Sequence, residues 1–208
     1  MGFVSSSRTY RSELREQQAE RTRQLIAAAA RARFVDKGWA GTSVRSVAEQ
    51  AGVSEATVYH VYGSKAGLAT SLIDAAEQSA DLQRAVAELR ERAGDPAGQL
   101  RAFVSFDRRL FELGGDVMRI LVEGQRQHPD LGAAYEEGRG RGDRERRKVF
   151  ASWPAAVWRA GIDVDRATAV YGVTVSLQSF DTATLEYGWS PDEVENWWHG
   201  TLAELLFR

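Results

Sequence analysis

From Val44 to Gly63 the chain reads Val44-Arg-Ser-Val-Ala-Glu-Gln-Ala-Gly-Val-Ser-Glu-Ala-Thr-Val-Tyr-His-Val-Tyr-Gly63, a register that suits two short helices joined by a tight turn. Helices that cross steeply need a small residue where their backbones come closest, and Ala48 supplies it. The turn needs a residue at ease with positive φ, and Gly52 stands where such a C-cap belongs. Ser54 follows as the N-cap of the second helix. Val47, Ala51, Val53, Val58 and Val61 fall on the inward faces, and Arg45, Ser46, Glu49, Gln50, Glu55, Thr57 and His60 on the outward ones. This is the spacing of a helix-turn-helix, whose second helix enters the major groove of DNA. The competing reading of the same residues is a plain helical hairpin within a bundle.

The rest of the chain is also helical in pattern. Its four prolines, Pro96, Pro129, Pro154 and Pro191, are few, and alternating strand patterns bounded by hairpin turns do not occur. The fold class expected is all-α. A first helix starts at about Ser12 or Gln18 and ends at Gly38, with Leu25, Ile26, Ala29, Ala30 and Phe34 as its apolar stripe. The two helices of the motif cover about Val44 to Ala51 and Glu55 to Tyr62, and a fourth runs from about Lys65 to Leu89, with an interruption inside it left open. Later helices are expected at about 97–113, 116–127, 130–161, 164–187 and 191–207. Before the last of these, Ser190 reads as an N-cap and Pro191 as the first helical residue, with Asp192 and Glu193 at the positive helix end. The run Gly138-Arg-Gly-Arg-Gly142 is expected to loosen or break its helix, because an interior glycine costs about 1 kcal/mol against alanine, and it is read as solvated, weakened helix rather than an anion site.

Composition narrows the function classes. With no cysteine among 208 residues, disulfides, zinc-thiolate sites and cysteine nucleophiles are excluded. The first seven residues lack the apolar core of a secretory signal, and nowhere do about 18 consecutive apolar residues occur, so a cytoplasmic protein with no membrane partner is expected. The net charge of −2 hides an asymmetry. Residues 1–70 hold 10 Lys and Arg against 6 Asp and Glu, a balance of +4, while the remaining 138 hold 17 against 23, a balance of −6. A basic head on an acidic body suits a chain of which one part meets phosphate.

Residues 21–70 resemble the DNA-binding domain of tetracycline-repressor-type (TetR family) regulators. The matching pieces are Arg33-Phe34-Val35-Asp36-Lys37-Gly38-Trp39 and Gly41-Thr42-Ser43-Val44-Arg45-Ser46-Val47-Ala48. They continue through Ala51-Gly52-Val53-Ser54, Thr57-Val58-Tyr59-His60 and Gly63-Ser64-Lys65-Ala66-Gly67-Leu68. Near the other end, Gly188-Trp189-Ser190-Pro191-Asp192-Glu193 looks like the start of the last helix in many such regulators. Val61-Tyr62 departs from the Tyr-Phe or His-Phe of many members.

The resemblance implies a three-helix DNA-binding head (18–66), after an extension (1–17), and a helical ligand-binding and dimerisation bundle (67–208). It also implies roles. Thr42 or Ser43 would bond a phosphate at the start of a helix, and Arg45 would reach phosphate or a groove edge. Ser54, Glu55, Ala56, Thr57 and His60 would present the recognition helix to base edges, with Ala56 or the Thr57 methyl against thymine and Glu55 accepting from cytosine. Tyr59 would donate to phosphate, and Lys65 looks like the family's phosphate-binding lysine. For His60 the alternative is an ordinary surface histidine. Arg8, Arg11 and Arg15 read either as an arm reaching a neighbouring groove or as part of a disordered terminus. Such heads work as symmetric dimers on palindromic double-stranded operators.

In relatives, the body holds a small-molecule pocket and pairs through its last two helices. Val170, Tyr171, Val173, Val175, Leu177 and Phe180, with Val194, Trp197, Trp198, Leu202, Leu205, Leu206 and Phe207, are more apolar surface than one helix face needs, which suits a homodimer seam. For the pocket, the candidates are Phe103, Phe106, Trp153 and the polar Asp107, Gln178 or Ser179, among aromatics that also include Phe111, Trp158, Tyr171 and Phe180. His128 and His199 are isolated, so no metal and no cofactor are expected. The effector stays unidentified. Nucleophile elbows and phosphate-binding loops are missing, which speaks against an enzyme. A helical interaction protein without DNA binding is the other alternative.

Overall fold

The computed structural model describes residues 5–125 and 128–208, with all of the named elements helical. It divides into two compact units, Met1–Leu72 and Ile73–Arg208, so that the boundary falls inside the fourth helix.

The first unit holds α1 (Ser5–Gly41), α2 (Val44–Ala51), α3 (Glu55–Tyr62) and the start of α4 (Lys65–Ser79). Helix α1 begins earlier than expected, because no glycine or proline interrupts the chain between Ser5 and Lys37. Helical geometry is broken at Gly38, where φ is 67° and ψ −179°. Ile26, Ala29, Ala30 and Phe34 are buried, together with Val44, Val47, Ala48, Val58 and Leu68. Leu25, assigned to the same stripe, is instead 48% exposed, since it lies one residue, about 100° of helical rotation, away from Ile26. The Tyr62 hydroxyl donates to the Arg23 carbonyl at 3.0 Å and ties α3 to α1.

The second unit is built around α6 (Pro96–Gly124), which packs against α5 (Leu82–Glu91), α7 (Pro129–Ala151), α9 (Leu177–Asp181) and α10 (Pro191–Leu206). Helix α8 (Val164–Thr174) lies on α7 and α10. Polar side chains punctuate these helices as capping physics requires. Asp95, Asp163 and Ser176 each accept from the backbone N–H three residues on. Ser190 and Glu193 form the reciprocal capping box ahead of α10. The fourth helix does stop, at Asp81, which takes φ 60° and ψ 62° while its side chain caps α5. Aspartate is among the few residues that tolerate this conformation. The core joins Leu100, Phe103, Phe150, Tyr171, Trp198 and Leu202. Beyond α7, a 3₁₀ turn (Ala155–Val157) leads to a short antiparallel bridge between Trp158 and Phe207.

Three expectations about breaks are corrected. Residues 97–113 and 116–127 are not separate helices, since α6 runs unbroken through Gly114 and Gly115. Both glycines are buried, and a Cβ on Gly114 would stand 2.5 Å from the Ala76 Cβ. The glycine is there to let α4 approach α6. The Gly138–Gly142 run likewise stays inside a continuous α7. The 164–187 helix is broken instead, at Val175, with Ser176 capping α9 and a π-helical turn, Thr182–Glu186, following it. Gly114→Ala is therefore expected to lower stability by about 1–3 kcal/mol through overpacking. At an uncrowded helical site the same change would raise it by about 0.5–1 kcal/mol, so a urea melt reads the answer from the sign.

Candidate nucleic-acid interface and ligand cavity

The geometry of the head follows from its turn. Gly52 takes φ 70° and ψ 32°, its N–H bonds to the Glu49 carbonyl at 3.3 Å, and the Val53 N–H reaches the Ala48 carbonyl at 3.0 Å. This paired 5→2 and 6→1 arrangement is a Schellman cap. It satisfies the end of α2 and turns the chain directly into Ser54, whose Oγ accepts from the Thr57 N–H at 3.1 Å to start α3. Of the five inward positions, Val47 and Val58 are fully buried, while Ala51, Val53 and Val61 are half-buried.

Helix α3 turns Glu55, Ala56, Tyr59 and His60 to solvent, and half of the Tyr59 surface is open. Thr57 is half-buried and its hydroxyl lies 2.8 Å from Ser54 Oγ. Ser54 and Thr57 thus spend much of their hydrogen-bonding capacity on the cap. Ser43 caps α2 in a reciprocal box with Ser46 and remains exposed at that helix's N-terminus. Arg45 pairs with Glu49 at 2.9 Å on an open surface, and that carboxylate holds its guanidinium pKa above the ordinary value. A surface pair of this kind is easily exchanged.

Thr42 needs a correction. Its side chain is buried, and Oγ1 donates toward the Arg33 and Gly38 carbonyls at 3.0 and 2.9 Å. It closes the turn between α1 and α2, so its hydroxyl is not presented to a phosphate. Ser43, the neighbour, keeps the exposed position.

Lys65 opens α4 and is only partly exposed. Its ammonium donates to the Trp39 carbonyl and sits 4.1 Å from the Trp39 ring centroid, while Trp39 stacks on Phe34 at 5.2 Å. Partial burial lowers its pKa. Two of its three donors are left for another acceptor. Trp39 was not among the sequence candidates, although the Gly38-Trp39 pair within the matched segment was the available signal. Two residues on, the Gly67 N–H bonds Ser64 Oγ at 2.9 Å, and a Cβ at Gly67 would meet the Tyr62 carbonyl oxygen at 2.1 Å. Among the N-terminal arginines, Arg15 is exposed, whereas the side chains of Arg8 and Arg11 lie outside the described residues.

The second unit encloses a cavity of about 750 Å³, within the range of small-molecule sites. Phe103, Phe106 and Asp107 line it, and so does Phe111. Trp153 and Gln178 do not. Trp153 is buried in the core, where its Nε1 donates to Gln99 Oε1 at 2.7 Å, and Gln178 faces solvent from α9. Ser176, not Ser179, reaches the lining.

Asp107 is fully enclosed and holds a polar cluster together. It accepts from the Tyr171 hydroxyl at 2.7 Å and from Arg146 Nη1 at 3.1 Å, and Arg146 also lies over the Tyr171 ring at 4.5 Å. Burial pushes the Asp107 carboxyl up, against the pull of Arg146, and pushes the Tyr171 phenol well up. Arg141 bonds Asp74 at 2.8 Å and Glu77 at 3.2 Å. Neither arginine was singled out from sequence. The signal was the Gly-Arg alternation: Gly138 and Gly142 line the same cavity, and a Cβ on Gly142 would stand 2.9 Å from Arg146 Nη2.

Residues 26–72 match the model of bacterial regulatory proteins of the tetR family. The HTH-type transcriptional regulator BetI of Stenotrophomonas maltophilia is 35% identical over 86 residues, which are 41% of this chain and 43% of that protein. The HTH-type transcriptional repressor NicS of Pseudomonas putida is 33% identical over 98 residues, covering 47% and 45%. The matches thus span less than half the length of these curated relatives. A transcriptional regulator from Saccharomonospora viridis, solved in complex with choline, shares the fold over 89% of this chain and 97% of its own, with a TM-score of 0.68 at 17% identity. Over residues 26–72, its helix-turn-helix head, the chain is similar to the tetR family of bacterial regulatory proteins.

Proposed function

We propose that this protein is a transcriptional repressor that binds a palindromic DNA operator as a homodimer and is released by a small molecule held in its cavity. The observation that carries the DNA reading is the outward face of α3, where Glu55, Ala56, Tyr59 and His60 stand exposed on a helix fixed at both ends by caps. An α-helix of this width fits the major groove, and these side chains are placed to meet base edges and phosphate. Ser43, Arg45 and Lys65 supply phosphate contacts, with Arg45 trading Glu49 for the DNA backbone. The acid–base or nucleophilic machinery of an enzyme has no part in this reading, in keeping with the regulators named above. Among the described residues no helix is long and apolar enough to cross a membrane, which suits a cytoplasmic regulator.

The dimer reading rests on which apolar residues the fold leaves outside. Tyr171, Val175, Leu177, Phe180, Val194, Trp198, Leu202 and Leu206 are used in the core. Val173, Leu185, Tyr187, Trp197 and Leu205 stay exposed, between 43% and 79%. Large open apolar groups gathered at one end of the chain suit a subunit contact.

Release follows from linkage. The cavity is lined by Ile73 and Glu77 of α4, the helix whose first residue is Lys65. A ligand that binds the DNA-free state more tightly shifts the population away from DNA, and one that binds both states equally does nothing.

In a mobility-shift titration against duplex DNA from upstream of its own gene, the protein is expected to bind with an affinity that falls steeply with salt. Lys65→Ala is expected to flatten the log–log salt slope by about one unit per subunit. Salt-independent or absent binding by the wild type would favour the interaction-protein alternative. In light scattering, the wild type is expected at twice the 23.0 kDa chain mass, and Leu185→Glu with Trp197→Glu at the chain mass with its helical signal retained. A wild-type monomer would overturn the dimer reading.

A further inference from the structure

The cavity carries more information than its volume. Its walls are apolar, formed by residues such as Ile73, Leu89, Phe103, Phe106, Leu110 and Phe111. Its charged groups are unequal in number, with five arginines against four carboxylates in the lining. The two carboxylates of the inner clusters are already engaged, Asp107 by Arg146 and Tyr171, and Glu77 by Arg141. The unmet hydrogen-bonding capacity lies on the donors. Arg146 is only 9% exposed, and its Nε–H and that of Arg141 are buried without an acceptor among the described residues. Buried N–H groups of a guanidinium call for an oxygen acceptor, and an ionised one makes the stronger bond.

We infer that the cavity takes an apolar carboxylate, its hydrocarbon body against the α5 and α6 walls and its carboxylate at Arg141 and Arg146. This deepens the effector reading above and rests on the same cavity. Gly142 of α7 acquires a purpose in it: a Cβ there would stand 2.9 Å from Arg146 Nη2, so the glycine leaves room for that guanidinium, while Gly138 lines the cavity beside Ile73. A cationic ligand seeking Asp107 or Glu77 would have to displace Arg146 or Arg141, each of which would lose one of its two carboxylate partners. That penalty makes the site selective against cations.

The test uses three probes with one tail and different heads: decanoate, decanol and decyltrimethylammonium, each below its micelle-forming concentration. Intrinsic tryptophan fluorescence and calorimetry read binding to the intact protein, and the mobility shift reads release of DNA. Decanoate is expected to bind at least about tenfold tighter than decanol, the value of one or two charge-assisted hydrogen bonds, with decyltrimethylammonium weaker than both. Arg141→Gln, at a partly exposed site, is expected to bring decanoate down to the affinity of decanol while leaving decanol binding unchanged. Equal affinities for acid and alcohol, tightest binding of the ammonium probe, or no binding by any of the three would overturn the inference, even if Arg141→Gln proves unstable. Tight decanoate binding that leaves DNA affinity unchanged would uphold the carboxylate site and overturn the effector reading. Release of DNA by decanol or the ammonium probe but not by decanoate would do the reverse.

Discussion

The left-handed turn at Gly52 is the constraint on which the head depends. With φ at 70°, a residue bearing a Cβ would cost about 1–2 kcal/mol there. The paired bonds from Gly52 and Val53 back to Glu49 and Ala48 satisfy the end of α2 with no residues to spare. Ser54 follows at once, so α3 starts in a direction set by the backbone rather than by long side chains. Packing finishes the arrangement through Val47, Ala48 and Val58, and Tyr62 pins the far end of α3 to α1. The exposed face of α3 is therefore presented by a frame with little freedom, which is what positioning in a groove requires.

The body solves a different problem. It encloses charge, and enclosed charge must be paired. Asp107, Arg146 and Tyr171 do this jointly, and Arg141 with Asp74 and Glu77 does it nearer the surface. Such clusters add little net stability, because desolvation offsets most of the attraction. They do give the apolar cavity a polar end. A purely aliphatic cavity of the same size would bind hydrophobic molecules with little discrimination.

Glycine plays opposite parts in the two units. At Gly52 it permits a backbone conformation. At Gly114 the conformation is helical, and what matters is the absent side chain, since Ala76 occupies its place. Gly138 and Gly142 also sit in regular helix and line a space that arginines share. Helix propensity alone treats all these positions as weak points, which is why α6 and α7 read as interrupted and are not.

What the sequence determined by itself were the features carried by local rules. The helix-turn-helix register, the Gly38 break, the Ser190–Glu193 cap and the all-helical class each depend on residues within a few positions of one another. Only the tertiary structure decided the rest, because those outcomes depend on distant partners. Thr42 is a turn residue because Arg33 and Gly38 offer carbonyls, and Lys65 is half-enclosed because Trp39 lies beside it. Trp153 belongs to the core through Gln99, 54 residues away, and Gln178 to the surface through the short α9. Arg141 and Arg146 become a cavity end only when α4 and α6 bring Glu77 and Asp107 to them. No local pattern encodes such meetings, since they are fixed by which helices pack together.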